Sequence, residues 1–421
     1  MDFLHAYLLS PGSILVAVVT VFLVNRALTR VPGKKTGVTS DSNGYSSIEV
    51  SKEPDLPEGW YHSLEVFELE RRALFSKSWV YLAHITQFAK PGAYQSFDIA
   101  GFPVFLIRGK DDKIRAFHNV CRHRAYTITR KEAGASTVLG CRYHGWSYDT
   151  CGQLVKAPQF DDVPGFEKSE NSLFEIHAHT TKEGCVLVNL DAGEPCPMEP
   201  ALSVLDNFVR ATSLGNSEWV LGKTLTGSFN WKLGTSGPGL ASFTKQLEQR
   251  ISEALKPSLT TRMLRAVMPI THKARCTLFP GTFLYSFEQA DIWLALNFLP
   301  SSEKSTRIRY DLFASTPKPS MNETAFANSV EEVIQSLIKS IENDYQCATE
   351  RSAESSETTH RILKHLHEHQ KLERVGGGLV RPAMRQPKGS SLFQQAEQLC
   401  KELDCLPGSQ SGSVSSNRLD W

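Results

Sequence analysis

From residue 56 onward the chain moves between two hydrophobic periods. Ser63 can cap a helix running to about Phe75, with Glu65 in its first turn and Val66, Leu69, Leu74 and Phe75 on one apolar face. The period then drops to two. Tyr94 to Ile107 and Ile114 to His118 read as strands, broken at Gly101 and at Gly109-Lys-Asp-Asp112, and Glu183 to Asp191 reads as the strand that closes this region. A mostly polar connector, Leu202 to Leu221, leads to a second set of elements. Strands are expected over Thr277–Thr282, Asp291–Pro300 and Arg307–Phe313, and helical patterns over Gln246–Leu255 and Leu259–Met268. A long helical stretch follows from about Asn322 to His369, with Val330, Val333, Ile334, Leu337 and Ile341 at helical spacing.

The first 55 residues differ in character. Phe3 to Val24 is apolar and approaches the roughly 20 residues needed to cross a bilayer, although Pro11-Gly12 interrupts it. Arg26, Arg30, Lys34 and Lys35 follow it and only Asp2 precedes it, the reverse of a secretory signal. The positive-inside rule then predicts a single-pass membrane anchor over residues 1–30, inserted through residues 3–24, with the globular part facing the cytosol. Residues 31–55, rich in Ser, Gly and Asn, read as a flexible linker.

At 421 residues the chain has room for two domains, and 41% hydrophobic with 22% charged residues is ordinary for a globular protein. A net charge of +1 gives no reason to expect a nucleic-acid partner. The nine cysteines are scattered, which fits a reducing compartment better than a disulfide scaffold. Cys151 reads as a plain free thiol, and His177 and His179 as strand surface residues. His365 and His369 stand at i, i+4, a spacing that can bind a metal, yet Lys364, Glu368, Gln370 and Lys371 around them suggest a solvated polar helix.

The chemistry is concentrated in Cys121-Arg-His123 and Cys141-Arg-Tyr-His144, one Cys-x-His pair and one Cys-x-x-His pair with 17 residues between. Two thiolates and two imidazoles suit a Rieske [2Fe–2S] cluster, and equally the four positions of tetrahedral zinc. Zinc fingers usually pair cysteine with cysteine along the chain, whereas each pair here is mixed.

His118-Asn-Val-Cys121-Arg-His123-Arg and Cys141-Arg-Tyr-His144-Gly145-Trp146-Ser-Tyr-Asp resemble the cluster loops of Rieske oxygenases, the ring-hydroxylating oxygenase α-subunit family. The resemblance spans residues 56 to about 385 and is nearest to choline monooxygenase-like proteins and their fungal branch. It implies one [2Fe–2S] cluster per chain, with Cys121 and Cys141 on one iron and His123 and His144 on the other. It also implies a free ring nitrogen on each histidine toward solvent or a partner. The extra cysteine pair of respiratory Rieske proteins would fall near Tyr126 and Tyr143, so that disulfide is absent. Gly227-Ser-Phe-Asn230-Trp231-Lys232 resembles the run that opens the family's catalytic half. The implied fold class is α+β: a membrane helix, an all-β Rieske domain with an N-terminal helix (56–200), a helix-grip domain of antiparallel sheet around a long helix (201–385), and a tail (386–421). Implied partners are an electron-donating reductase, a small organic substrate and O₂, with a homotrimer as the assembly.

The family's second site, a mononuclear Fe(II) on two histidines and a carboxylate, has no visible counterpart. From Trp231 to Thr271 there is no histidine and before Glu248 no acid, and His272 stands alone. In Ile341-Glu342-Asn343-Asp344-Tyr345-Gln346-Cys347 an asparagine occupies the expected aspartate position, and Asp344 is rotated about 100° from it. Catalytic residues are therefore not assigned. Two main readings follow: a Rieske-type oxidoreductase of the oxygenase kind, or an electron-transfer or redox-sensing protein whose second iron site has degenerated. A structural paralogue without any metal is a third.

Overall fold

Ser63 caps helix α1 (Leu64–Glu70) by accepting the Val66 N–H at 3.3 Å, and a single wide turn, Arg71–Phe75, continues it. These positions come from a computed structural model, which describes residues 56–382 apart from 162, 213–216, 236–237, 256–273, 288–291, 316–322 and 349–355, together with Gln398. Ten strands follow: β1 (Val80–His84), β2 (Ala93–Ile99), β3 (Phe102–Arg108), β4 (Ile114–His118), β5 (Ala133–Ala135), β6 (Val138–Gly140), β7 (Ser147–Asp149), β8 (Leu154–Lys156), β9 (Glu175–Thr180) and β10 (Cys185–Asn189). Seven of them form one sheet in the order β1-β10-β9-β4-β3-β2-β5, and β6-β7-β8 form a small second sheet. The apolar run Tyr94–Ile107 is a hairpin, turned at Ala100 and Gly101 with φ of +52° and +80°.

The stretch expected to be a polar connector is instead a helix, α2 (Glu199–Ala211), and an 11-residue strand, β11 (Ser217–Gly227). Its polarity has a simple cause. Helix α2 buries Leu205 and Phe208 on one face and leaves most of the rest to solvent, while β11 is an edge strand whose positions are mostly half-exposed. Two helices come next, α3 (Trp231–Thr235) and α4 (Pro238–Leu255), then β12 (Arg275–Leu278), β13 (Thr282–Phe287), β14 (Ile292–Ser302) and β15 (Ser305–Ser315). They complete an antiparallel sheet in the order β11-β15-β14-β13-β12. The single long helix expected to follow is two, α5 (Glu323–Gln346) and α6 (Glu357–Gly376). Ser356 caps α6 by accepting the Thr359 N–H at 3.1 Å, and Gly377 ends it at φ +68°. The helix expected over Leu259–Met268 lies outside the described residues.

The five-stranded sheet is covered on both faces, which is why Ile292–Pro300 reads as an unbroken buried run. One face carries Phe283, Tyr285, Leu294, Leu296, Phe298, Tyr310 and Leu312 against Phe243 and Leu247 of α4 and Ile334 and Leu337 of α5. The other packs Leu284, Trp293 and Phe313 on Leu205 and Phe208 of α2 and on Tyr81 and Leu187 of the first sheet. This is the sheet-around-a-helix arrangement expected for the second half.

The Asn230-Trp231-Lys232 run fastens the two halves together. Asn230 Nδ2 donates to the Tyr61 carbonyl at 3.0 Å and to the Glu303 carbonyl at 2.8 Å. Trp231 Nε1 donates to Glu70 Oε2 at 2.8 Å, and Lys232 Nζ forms an ion pair with Glu70 Oε1 while lying 4.3 Å from the centre of the Trp60 ring. Glu70 is 0% and Lys232 4% exposed.

The membrane anchor is corrected. Residues 3–24 fall outside the described residues, and among the described residues no helix is long and apolar enough to cross a membrane. The single-pass, cytosol-facing placement that rested on the anchor falls with it.

Candidate metal centre

Two loops with the same backbone form carry the four residues singled out by spacing. The first follows β4. There the Cys121 N–H donates to Tyr126 O at 2.8 Å and the Ala125 N–H donates to Cys121 O at 2.9 Å. The second joins β6 to β7, where the Cys141 N–H donates to Trp146 O at 2.7 Å and the Gly145 N–H donates to Cys141 O at 3.0 Å. The residue four past each cysteine has a positive φ, +53° at Ala125 and +73° at Gly145. Glycine takes that conformation freely; alanine does so at a cost of about 1 kcal/mol, which the surrounding structure sustains.

The loops face each other. The Cys121 and Cys141 thiols are in hydrogen-bonding contact, and the His123 and His144 rings stand 4.5 Å apart. Tyr126 and Tyr143 stack across the loop tips at 5.4 Å, where the respiratory type would carry its disulfide. Thiol faces thiol and imidazole faces imidazole. Among the described residues no three His, Cys, Asp or Glu side chains gather as they would around a single ion. Tetrahedral zinc needs four donors on one point, whereas a bridged pair of irons needs two on each of two points. The donor set fits the second.

The electrostatics favour one sulfur anion, at Cys141. The hydrogen bond from Cys121 holds the Cys141 thiol below its ordinary value, helped by the backbone N–H groups of Tyr143 and His144 and by Arg130, against the opposing effect of burial. Its partner Cys121 is held up by the same shared proton and by burial. Tyr148 Oη lies 3.2 Å from Cys121 Sγ and accepts the Arg122 N–H at 3.0 Å. Burial pushes its phenol above the ordinary range, so it stays a neutral donor.

The two histidines are not equivalent, which corrects the expectation that each shows a ring edge outward. His123 is 1% exposed, stacked at 5.0 Å on Trp146 and edge-on to Phe160. His144 is half-buried and touches Tyr143, itself 40% exposed. The sequence pattern contains Trp146 and Tyr148 but assigns neither a role, and Ala125 carries no signal, because nothing in an alanine announces a left-handed backbone.

The other candidates separate from the site. His177 and His179 are exposed on β9, and Cys151 is exposed. His365 stacks on Phe279 at 5.3 Å and His369 is buried with Nε2 3.2 Å from Glu373, so α6 is not the solvated helix its charges suggested. Asn343 and Asp344 are both exposed, while Glu342 accepts the Ser228 N–H at 2.7 Å.

Comparison with known proteins agrees with the geometry. A family model for the Rieske [2Fe-2S] domain matches residues 78–167. The chain is 32% identical over 179 residues to the carnitine monooxygenase oxygenase subunit of Acinetobacter pittii (strain PHEA-2), covering 42% of this chain and 48% of that one. It is 33% identical over 183 residues to the chlorobenzene dioxygenase subunit alpha of Cupriavidus sp. (strain PS12), covering 41% and 39%. The chain thus spans half or less of the curated relatives it matches. Among solved structures, a quaternary ammonium Rieske monooxygenase superposes with a TM-score of 0.56 at 20% identity, covering 70% of this chain and 86% of that one. Naphthalene 1,2-dioxygenase superposes with a TM-score of 0.56 at 19% identity, covering 69% and 80%. Residues 78–167 therefore match a Rieske [2Fe-2S] domain, in a chain whose fold is similar to that of a quaternary ammonium Rieske monooxygenase and of naphthalene 1,2-dioxygenase.

Proposed function

We propose that the protein is a Rieske-type iron–sulfur oxidoreductase of the oxygenase kind, taking electrons from a reductase for the O₂-dependent oxidation of a small organic substrate. The observation that carries this is the meeting of Cys121 with Cys141 and of His123 with His144 on twin loops, together with relatives that are oxygenase subunits. In this reading Cys121 and Cys141 hold one iron and His123 and His144 the other. Bound there, a [2Fe–2S] cluster supplies a one-electron couple at a higher potential than an all-cysteine cluster. Backbone N–H groups and the Tyr148 hydroxyl stabilise charge on the sulfurs, Trp146 and Phe160 exclude water from His123, and His144 offers the contact edge. The Rieske part is assigned to residues 56–200 and the oxygenase-like part to 201–385. A homotrimer is proposed as the assembly, in line with the inter-subunit electron transfer described for a structurally similar quaternary ammonium Rieske monooxygenase.

The described residues do not fit a mononuclear Fe(II). Segments 217–255 and 274–346 hold no histidine among the described residues, and the face of the five-stranded sheet toward α4 and α5 is apolar. No step is assigned through such an iron. This observation supports a second reading, electron transfer or redox sensing without oxygenation. Iron analysis of anaerobically purified protein decides: about three irons per chain, with O₂ uptake that depends on substrate and reductase, establish the oxygenase, and about two without uptake establish the carrier. Cys141→Ser must abolish the visible and EPR signals of the cluster; their survival would overturn the ligand assignment.

A further inference from the structure

We propose that the cleft between the β2–β3 hairpin and the β14–β15 hairpin of the five-stranded sheet binds a small oxyanion, a carboxylate or a phosphate. The cavity measures about 210 Å³ and is lined by four cations, Arg130, Lys131, Arg307 and Arg309, against two carboxylates, Asp98 and Glu132. Cations in that excess focus a positive potential in a concave space, and the volume is below that of ordinary cofactor pockets. A small anion matches both.

Arg309 is paired with the buried Asp311 carboxylate and keeps one edge free, while the other three cations are more loosely held. Arg309 is fixed in plane by Asp311, which accepts from its Nε at 2.8 Å, and by Gln95, which accepts from its Nη2 at 2.9 Å; its Nη1 makes no hydrogen bond among the described residues. Arg307 comes no nearer to Asp98 than 3.9 Å, and Asp98 is already occupied by the Gly101 N–H at 2.7 Å. Arg130 lies 5.0 Å over the Tyr126 ring, and neither it nor Lys131 forms an ion pair among the described residues. A guanidinium held in plane with donors to spare recognises oxyanions in fork geometry.

The walls add an apolar backing. Phe97 and Leu299 line the same cleft and are 8% and 5% exposed, so the charges sit against a low-dielectric surface that strengthens their pull.

This inference stands apart from the oxygenase reading, since it needs neither the cluster nor turnover. The test is calorimetric titration of the purified full chain with inorganic phosphate and, separately, with succinate, at ionic strength held constant with chloride. Saturable one-to-one binding of either anion supports the site, and which one binds tells carboxylate from phosphate. Arg130→Gln and Arg307→Gln should each weaken binding about tenfold, whereas Lys110→Gln, on the distant β3–β4 turn, should leave it unchanged. Arg307→Lys, which keeps the charge, should weaken it several-fold because the planar fork is lost; this variant decides if the glutamine variants fail to fold. No saturable heat with either anion, or wild-type affinity in a folded Arg307 variant, overturns the proposal.

Discussion

Replacing Lys232 by methionine is expected to be among the costliest single changes in the second half of the chain. Methionine fills similar space, so the perturbation is electrical: it strands the Glu70 carboxylate, 0% exposed, with the Trp231 Nε1–H as its remaining partner in the clamp. Breaking a buried ion pair by removing one partner costs about 3–5 kcal/mol, because the other charge stays buried. A domain is stable by only about 5–15 kcal/mol, so about a fifth or more of the margin goes. With a urea m-value near 3 kcal/mol/M, the midpoint should fall by about 1–1.7 M. The assay is equilibrium urea unfolding followed by tryptophan fluorescence and circular dichroism. The decisive comparison is the double variant Glu70→Gln with Lys232→Met, which removes both charges and keeps an acceptor for Trp231. It should recover most of the loss, since replacing a buried pair outright is often close to neutral. A single variant costing under about 1 kcal/mol, or a double variant as damaged as the sum of its parts, would refute the idea that the pair is a mutual compensation of buried charge.

Other outcomes can be checked in parallel. Tyr148→Phe removes the hydroxyl 3.2 Å from Cys121 Sγ; the sulfurs gain negative charge on reduction, so potentiometry should show a more negative midpoint, by about 40 mV if the bond is worth about 1 kcal/mol. Gly145→Ala puts a side chain at φ +73° with its Cβ 3.3 Å from Pro158, and should cost about 1–2 kcal/mol in chemical denaturation together with cluster occupancy, whereas Ala125→Gly should leave occupancy intact. Burial holds His84 below its ordinary value. The unfolded chain then binds the proton first on acidification, so this contribution is complete above about pH 6.5 and is lost as pH falls toward the lower folded value. Melting temperatures across pH 5–7.5 should show that slope in the wild type and a weaker one in His84→Gln.

The match to a Rieske domain was legible because the motif spacing is local: Cys121 to His123 and Cys141 to His144 each fit within one turn of chain. What joins the loops was not. The Tyr126–Tyr143 stack and the Tyr148 hydroxyl depend on how β6 and β7 return the chain, a long-range matter. The same holds for the clamp, where the partner of Lys232 stands 162 residues earlier. Helix α2 and strand β11 escaped because half-exposed elements dilute the periodic signal, and the single helix expected over 322–369 broke because the Ser356 cap lies inside a polar stretch.

The paired phenol rings at the loop tips carry a consequence for how the site is filled. An aromatic contact of this kind is worth about 0.5–1.5 kcal/mol, so the two halves of the mouth can part and re-close on thermal energy alone. A covalent staple would instead tie closure to the redox state of the surroundings. Here thiol reductants find no bond to break at the loop tips.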